Sequence, residues 1–304
     1  MGRIVFSDIM DEWHVGDPAD WGDHVGVPDI PYMGYLQDDE EQEQKPGRVS
    51  KAHQLRAEAW ALRENGQFQE ALNKINQALE YSKHWKILNV KAIILEDMGR
   101  YDEALRYYDL ALGNTNAQYI RDNKARLLER MAWQDKYSGN LEEALDKVNL
   151  ALKLTGDEDD RCEFFTTKAH ILALMGRKRE TYVCNMLANR CPERVDEFER
   201  QSEILKSTKN TLVCIAGRNH YGYSAPTEEG ALVELIKEPE NEHDSDAIRV
   251  EYHEKTVGYI ANSPYTMIDE VKSASEISDL FETRSRARIL FVFMQDYLIA
   301  ELTN

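Results

Sequence analysis

The chain has 304 residues, 42% hydrophobic and 30% charged, with a formal net charge of −18. That length predicts about two domains, and the apolar content excludes global disorder. Residues 1–50 carry twelve carboxylates against Arg3, Lys45 and Arg48, residues 211–304 carry seventeen against eight bases, and residues 51–210 have twenty-six of each sign. No segment therefore offers the basic face that releases counterions from phosphates, which argues against a long nucleic-acid groove and leaves room only for a small end-binding pocket. No stretch approaches the ~20 apolar residues that span a bilayer. Met1 to Asp23 mix carboxylates with aromatics and lack a basic start and an apolar run, unlike a signal peptide. Cys162, Cys184, Cys191 and Cys214 show neither a CxxC pair nor a metal-type spacing and read as reduced thiols of a cytoplasmic protein.

Residues 1–49 form an acidic, aromatic-containing arm with Trp13, Trp21, Tyr32 and Tyr35 among carboxylates, ending in Asp38-Asp39-Glu40-Glu41. His14, Asp17, Asp20, Asp23 and His24 can be drawn as a metal cluster, but the spacings are irregular and Gly and Pro interrupt them. The segment reads as a solvated arm whose aromatics dock on the rest of the chain or on a partner, and neither a metal nor a cofactor is expected.

From residue 50 the sequence repeats. Gly66-Gln67-Phe68-Gln69-Glu70-Ala71-Leu72 matches Gly99-Arg100-Tyr101-Asp102-Glu103-Ala104-Leu105 and Gly139-Asn140-Leu141-Glu142-Glu143-Ala144-Leu145. Seven residues after each Ala stands another, Ala78, Ala111 and Ala151, followed by Leu. Before each Gly the apolar residues keep helical spacing, as in Leu55, Ala59, Leu62 and in Leu88, Ala92, Leu95. The Gly ends that helix where a positive φ is needed. The second helix lines up Ala71, Ile75, Ala78 or Ala104, Tyr108, Ala111, so that small residues admit a neighbouring helix and large ones fill the holes. One hairpin cannot bury such a face, so the units must stack.

Ala59, Gly66, Phe68, Ala71 and Ala78, repeated as Ala92, Gly99, Tyr101, Ala104 and Ala111, resemble the tetratricopeptide (TPR) family. The third copy, Ala132, Gly139, Leu141, Ala144 and Ala151, follows an insertion of about seven residues around Asn114–Ile120. A fourth, with Ala169, Leu172, Gly176 and Ala188 but Thr181 for the small Ala, reads as a terminal capping unit closed by Pro192. The resemblance covers residues 50–192 and implies that first helices line a concave groove. Carried over, the exposed inner positions are Arg56, Trp60 and Arg63, then Asn89, Ile93 and Glu96, then Glu129, Trp133 and Lys136, and then His170. Trp and Arg are frequent interface anchors, although Trp60 and Trp133 can equally pack between repeats. Trp60 stands where the family's carboxylate clamp has its first Asn, so that clamp is not expected.

A charged helical linker, residues 193–210, leads into a region of period two over 211–304. Leu232–Lys237, Ile248–Glu251 and Val257–Ile260 alternate, and Ala287–Phe293 and Tyr297–Leu302 follow a helical stretch, with Gln295-Asp296 as their turn. Several short antiparallel strands predict a small barrel or curled sheet with one helix. The run from Leu235 to Val250, with Glu238-Pro239-x-Asn241-x-x-Asp244-x-x-Ala247-Ile248 at its heart, resembles the HIRAN domain, as do Val257-Gly258-Tyr259-Ile260 and Ala216 to Tyr221. The match is good over 211–262 and looser beyond. It implies recognition of the 3′ end of single-stranded DNA, with aromatics stacking on bases and the loop Asp reaching the terminal hydroxyl. The nucleic-acid residues it implies are Asn219, His220, Tyr221, His243 and Asp244, of which Asn219, His220 and His243 depart from the family's residue types. Asn241 and Asp244 also suit a purely structural role as turn formers, with Ala247 and Ile248 in the core.

The fold expected is therefore α+β and multidomain, an all-α TPR superhelix followed by a small β-barrel-like HIRAN domain. No P-loop, Gly-rich dinucleotide turn, His-Glu metal pair or nucleophile with a recognisable base is visible, so no enzyme is expected. The expected function is a non-catalytic adaptor that holds a protein or peptide in the TPR groove and contacts a single-stranded DNA end through the HIRAN-like domain. The alternative is a purely protein-binding scaffold whose HIRAN-like domain has lost its nucleic acid.

Overall fold

Four helical hairpins fill the first part of the computed structural model, which describes residues 46–217, 221 and 225–303. They are α1 (Pro46–Glu64) with α2 (Phe68–Tyr81), α3 (Trp85–Asp97) with α4 (Tyr101–Leu112), α5 (Gln118–Tyr137) with α6 (Leu141–Leu154), and α7 (Glu158–Leu174) with α8 (Lys178–Ala188). Every first helix ends alike. Gly66, Gly99, Gly139 and Gly176 have φ of 73°, 71°, 81° and 73°. The residue after each donates its N–H to a carbonyl five residues back: Gln67 to Leu62, Arg100 to Leu95, Asn140 to Asp135 and Arg177 to Leu172, at 2.8–2.9 Å. This closure needs a left-handed residue, and a side chain there costs about 1–2 kcal/mol. The end of α8 closes in the same way, Cys191 N–H to Met186 O at 2.9 Å, with Arg190 at φ 56° in place of Gly. Its guanidinium meets Asp159 and, at 3.3 Å, the Cys162 sulfur, which anchors the strained residue.

The small residues occupy the places the repeat assigns them. Ala59, Ala71, Ala78, Ala92, Ala104, Ala111, Ala132, Ala144 and Ala151 are fully buried, with Ile75, Tyr108 and Val148 filling the space between. Thr181 is buried in the fourth unit where an Ala belongs, and its hydroxyl donates to Arg177 O at 3.0 Å. That bond removes the cost of hiding a polar group.

The chain divides into two compact units, Met1–Asn116 and Ala117–Asn304. The second contains the third and fourth hairpins, α9 (Pro192–Ser207) and a closed six-stranded barrel. Its strands are β1 (Leu212–Ala216), β2 (Leu232–Lys237), β3 (Ile248–Tyr252), β4 (Lys255–Ile260), β5 (Arg284–Phe293) and β6 (Tyr297–Thr303). They pair antiparallel around the barrel in the order β1-β4-β3-β2-β5-β6. Val213, Ile215, Val233, Leu235, Ile248, Val250, Val257, Ala287, Ile289, Leu298 and Ala300 point inward, and Ala274 and Ile277 of α10 (Ala274–Ile277) pack against them. The helical hairpins and this barrel match the α+β architecture read from the sequence.

Two details differ from the sequence reading. Strand β1 is an addition, and the β5–β6 turn centres on Met294 and Gln295, at φ 51° and 65°, one residue earlier than expected. His253 and Glu254 make the same kind of turn between β3 and β4, at φ 52° and 62°. Each turn has two consecutive positive-φ residues and lacks the Asn or Gly that normally marks such a turn; the β3–β4 loop is a two-residue hairpin, whereas three residues, Met294 to Asp296, separate the paired Phe293 and Tyr297.

The expected linker, α9, is helical but does not stand in solvent. Phe198 stacks on Phe293 of β5 at 5.2 Å, and Leu205 packs in a second core with Tyr182, Leu212, Cys214, Val271 and Ile299. Strand alternation explains this: Val213 and Ile215 face the barrel interior while Leu212 and Cys214 face the helices. Arg179 of α8 adds an ion pair to Glu270. The acidic arm, including the His14 to His24 cluster, lies outside the described residues. Among the described residues no group of three His, Cys, Asp or Glu could hold a metal, and no helix is long and apolar enough to cross a membrane. All four cysteines are free thiols.

Candidate functional site

Distance from the turn glycine puts the expected groove residues on one side of each first helix. Ten, six and three residues before it stand Arg56, Trp60, Arg63 in α1, Asn89, Ile93, Glu96 in α3, and Glu129, Trp133, Lys136 in α5, while His170 holds the middle place in α7. Steps of four and three residues share a helix face. Arg56 and Asn89 correct the sequence reading: they are 8% and 2% exposed, inside rather than on the wall. Fully buried Ala52, Ala59 and Ala92 leave little bulk to hold neighbouring helices apart around these two residues, whereas Glu129, at the same place in α5, is half-buried. Trp60, Ile93, Trp133 and His170 are half-buried, so each Trp both packs and shows part of its surface.

In the first unit the cation is neutralised. The Arg63 guanidinium lies 4.6 Å from the Trp60 ring, and Trp60 Nε1 donates to Glu64 at 2.7 Å. Arg63 also reaches across to Asp97 of α3 through two nitrogens, the second at 3.3 Å. Behind them the buried Tyr108 hydroxyl donates to Glu96 at 3.0 Å, and burial together with the Glu96 charge pushes that phenol well above its usual range.

In the second unit the same places carry a different balance. Trp133 stacks on Tyr137 at 5.7 Å and meets His170 edge-on at 5.8 Å. The Lys136 ammonium lies 3.8 Å from the Trp133 ring and 5.2 Å from the Tyr137 ring. Glu129 accepts from Trp133 Nε1 and from Thr167 Oγ1, both at 2.6 Å. Burial raises the Glu129 carboxyl, lowers Lys136, and with the Lys136 charge lowers His170. Tyr137 and Leu174, two residues before their turn glycines, are 69% and 60% exposed. The sequence reading passed over both because it followed the family's inner positions, although an apolar residue so near a helix end was visible in each.

The second group of expected residues belongs to the barrel. Asn219 and His220 lie outside the described residues. Tyr221 has its ring 6.0 Å from Tyr259, and His243 is exposed in the β2–β3 loop. That loop is wired internally. Asn241 Oδ1 accepts from the His243 and Asp244 N–H groups at 3.0 and 3.3 Å, and its amide donates to Glu238 at 3.1 Å. Asp244 accepts from the Asp246 N–H and from Asn262 Nδ2, each at 2.9 Å. Ser275 Oγ donates to Asp246 at 2.7 Å. Asn241 and Asp244 thus fill the turn-forming role their residue types allow. Sequence reasoning missed the centre of this network, Glu238, which accepts from Arg249 Nε at 2.6 Å and Tyr259 hydroxyl at 2.9 Å.

Burial alone would raise the Glu238 carboxyl, but bonds from Asn241, Tyr259 and Arg249 outweigh it and hold the group below its ordinary range. Tyr259, partly buried and facing that carboxylate, is pushed up to about 12 and stays a donor. A carboxyl depressed in the folded state contributes stability above its unfolded pKa and loses it as pH falls through the folded one. Acid titration followed by urea unfolding should therefore show barrel stability dropping below the ordinary carboxylate range, and Glu238→Gln should remove a measurable part of that drop, Glu270 and Glu276 being depressed as well. An equal acid drop in wild type and variant would assign it to other carboxylates.

No family model matches the sequence, and no curated protein matches it. Among solved structures, BtubC (BKLC) from P. vanneervenii aligns over 52% of this chain and 68% of its own, at 16% identity and a TM-score of 0.37. YrrB, described as a TPR protein with an unusual peptide-binding site, aligns over 47% and 71%, at 18% identity and a TM-score of 0.34. The Yersinia enterocolitica type III secretion chaperone SycD, solved with a peptide of the translocator YopD, aligns over 42% and 93%, at 20% identity and a TM-score of 0.31.

Proposed function

We propose that this chain is a non-catalytic adaptor whose helical hairpins hold a segment of another protein on the exposed side of their first helices. The observation that carries the reading is the group around Trp133: a half-buried indole, a lysine resting on it, and Tyr137 and Leu174 largely in solvent. Aromatic and cationic side chains held in place by their neighbours lose little freedom on binding, which makes them efficient anchors. Large apolar side chains left this exposed beside a fixed aromatic commonly mark a partner.

The barrel fits the protein-only form of the reading better than contact with a DNA end. The loop from Glu238 to Asp246 carries Glu238, Glu240, Glu242, Asp244 and Asp246 and no Lys or Arg, which opposes a phosphate backbone. Both oxygens of Asp244 already accept hydrogen bonds within the fold, so a terminal hydroxyl would have to displace one. A cytoplasmic location accords with four free thiols.

Affinity capture with wild type, Trp133→Ala and Tyr137→Ala tests the main reading. A discrete prey retained by wild type and lost from both variants, with helicity unchanged, is the expected outcome; prey retained by both would remove this face from the interaction. In parallel, a 3′-hydroxyl single strand should give no saturable anisotropy change at low salt. Saturable binding abolished by Asp244→Ala would restore the DNA-end function.

A further inference from the structure

We propose that the exposed side of α5 and α7 selects a partner segment carrying a carboxylate next to an apolar side chain, with Lys136 receiving the carboxylate. The proposal rests on the protein-binding reading above and narrows it to one ligand chemistry.

The repeat supplies its own comparison. Six and three residues before the turn glycine, the first hairpin has Trp60 and Arg63 and the third has Trp133 and Lys136. In both, the cation lies on the face of the Trp, at 4.6 and 3.8 Å. What differs is the residue two before the glycine in the hairpin that follows. In the second hairpin it is Asp97, whose carboxylate takes Arg63. In the fourth it is Leu174, which has no acceptor and is mostly in solvent. The third hairpin thus keeps the Trp–cation pair while the fourth omits the carboxylate that completes it.

Among the described residues no acid forms an ion pair with Lys136. Glu129, on the same helix, is committed to Trp133 and Thr167. His170 is a second positive group when protonated, and both burial and Lys136 disfavour that form. Burial has removed part of the water around the ammonium, which lowers its pKa, and no described acid pairs with it. A cation in that condition gains more from an incoming carboxylate than a fully hydrated one does. The two rings fix its position, Tyr137 offers apolar surface beside it, and Leu174 stands at the repeat place that Asp97 holds in the second hairpin. Residues 51–210 carry equal numbers of acids and bases, so this half of the chain does not repel an acidic ligand despite the net charge of −18.

The test is selection of a random dodecapeptide library, capped as N-acetyl and C-terminal amide, on the full chain, followed by anisotropy with enriched peptides. Enrichment of Asp or Glu beside Leu, Ile or Phe is expected. Replacing that acid by its amide should weaken binding about tenfold or more, the usual size for a charge-assisted bond. Leu174→Asp rebuilds the Arg63–Asp97 arrangement and should weaken the acidic peptides similarly while leaving helicity intact; Leu174→Asn should not. Lys136→Met should abolish discrimination between acid and amide. Enriched peptides without an acid, still lost in Trp133→Ala, would overturn the carboxylate preference and leave the protein-binding reading standing. Failure to enrich any peptide would overturn both.

Discussion

Replacing Gly258 by alanine is expected to open the barrel, with a loss of about 3 kcal/mol or more, at the upper end for overpacking a closed core. A Cβ on Gly258 would lie 2.6 Å from the Ala216 carbonyl oxygen and 2.9 Å from Ile215 Cγ2. The first of these is backbone and cannot swing away. It belongs to β1 where that strand meets β4, a junction of only Ile215↔Ile260 and Ala216↔Tyr259. The backbone at Gly258, with φ 159°, is close to extended, so the cost comes from space and not from conformation. Gly99 is the control. Nothing lies within 4 Å of its Cβ position, and its φ of 71° alone penalises a side chain. Gly99→Ala should therefore cost only about 1–2 kcal/mol. Urea unfolding of the two variants separates the mechanisms; equal losses would mean that β1 slides away from β4 without penalty.

The spacing of small residues made the hairpins legible, because one Gly for each turn and one Ala for each close approach are demands no other residue meets as well. Ala71, Ala104 and Ala144 are all fully buried, as that argument requires. The barrel strands were legible from alternation, except β1. Leu212, Val213, Cys214 and Ile215 are buried on both faces, so the strand shows an unbroken apolar run with no period to read. The site was less legible. Family position put Trp133 and Lys136 on one face, where the ammonium rests on the ring, but it could not show that Arg56 and Asn89 are covered, since burial depends on how closely the next helix approaches. Nor could it reveal that Asp97 neutralises Arg63 from 34 residues away while the matching place in the fourth hairpin holds Leu174, which has no carboxylate. The loop wiring around Glu238 was hidden for a similar reason: its partners Arg249 and Tyr259 lie 11 and 21 residues off, on two other strands.

Phe293→Ala carries the second large effect, an expected loss of about 3–5 kcal/mol for truncating a buried aromatic. Phe293 is fully buried, but not among the inward-facing residues of the barrel. It stacks on Phe198 of α9 and lies under the Arg179 guanidinium of α8 at 5.5 Å. A bulge in β5 between Ile289 and Phe291 shifts the register that delivers it to this second core. Loss of its ring should therefore weaken the attachment of α8 and α9 more than the barrel interior. Native-state hydrogen exchange should show protection falling first in α9, with β2 and β3 amides retaining theirs, and one unfolding transition separating into two. Ile289→Ala, inside the barrel, should instead lower protection in β2 and β3 directly. The contrast tests whether the last hairpin and the barrel fold as one body through this core. If Phe293→Ala reduced protection evenly across α9, β2 and β3, the two cores would form a single cooperative unit, and an interaction at the hairpins would then be felt throughout the barrel.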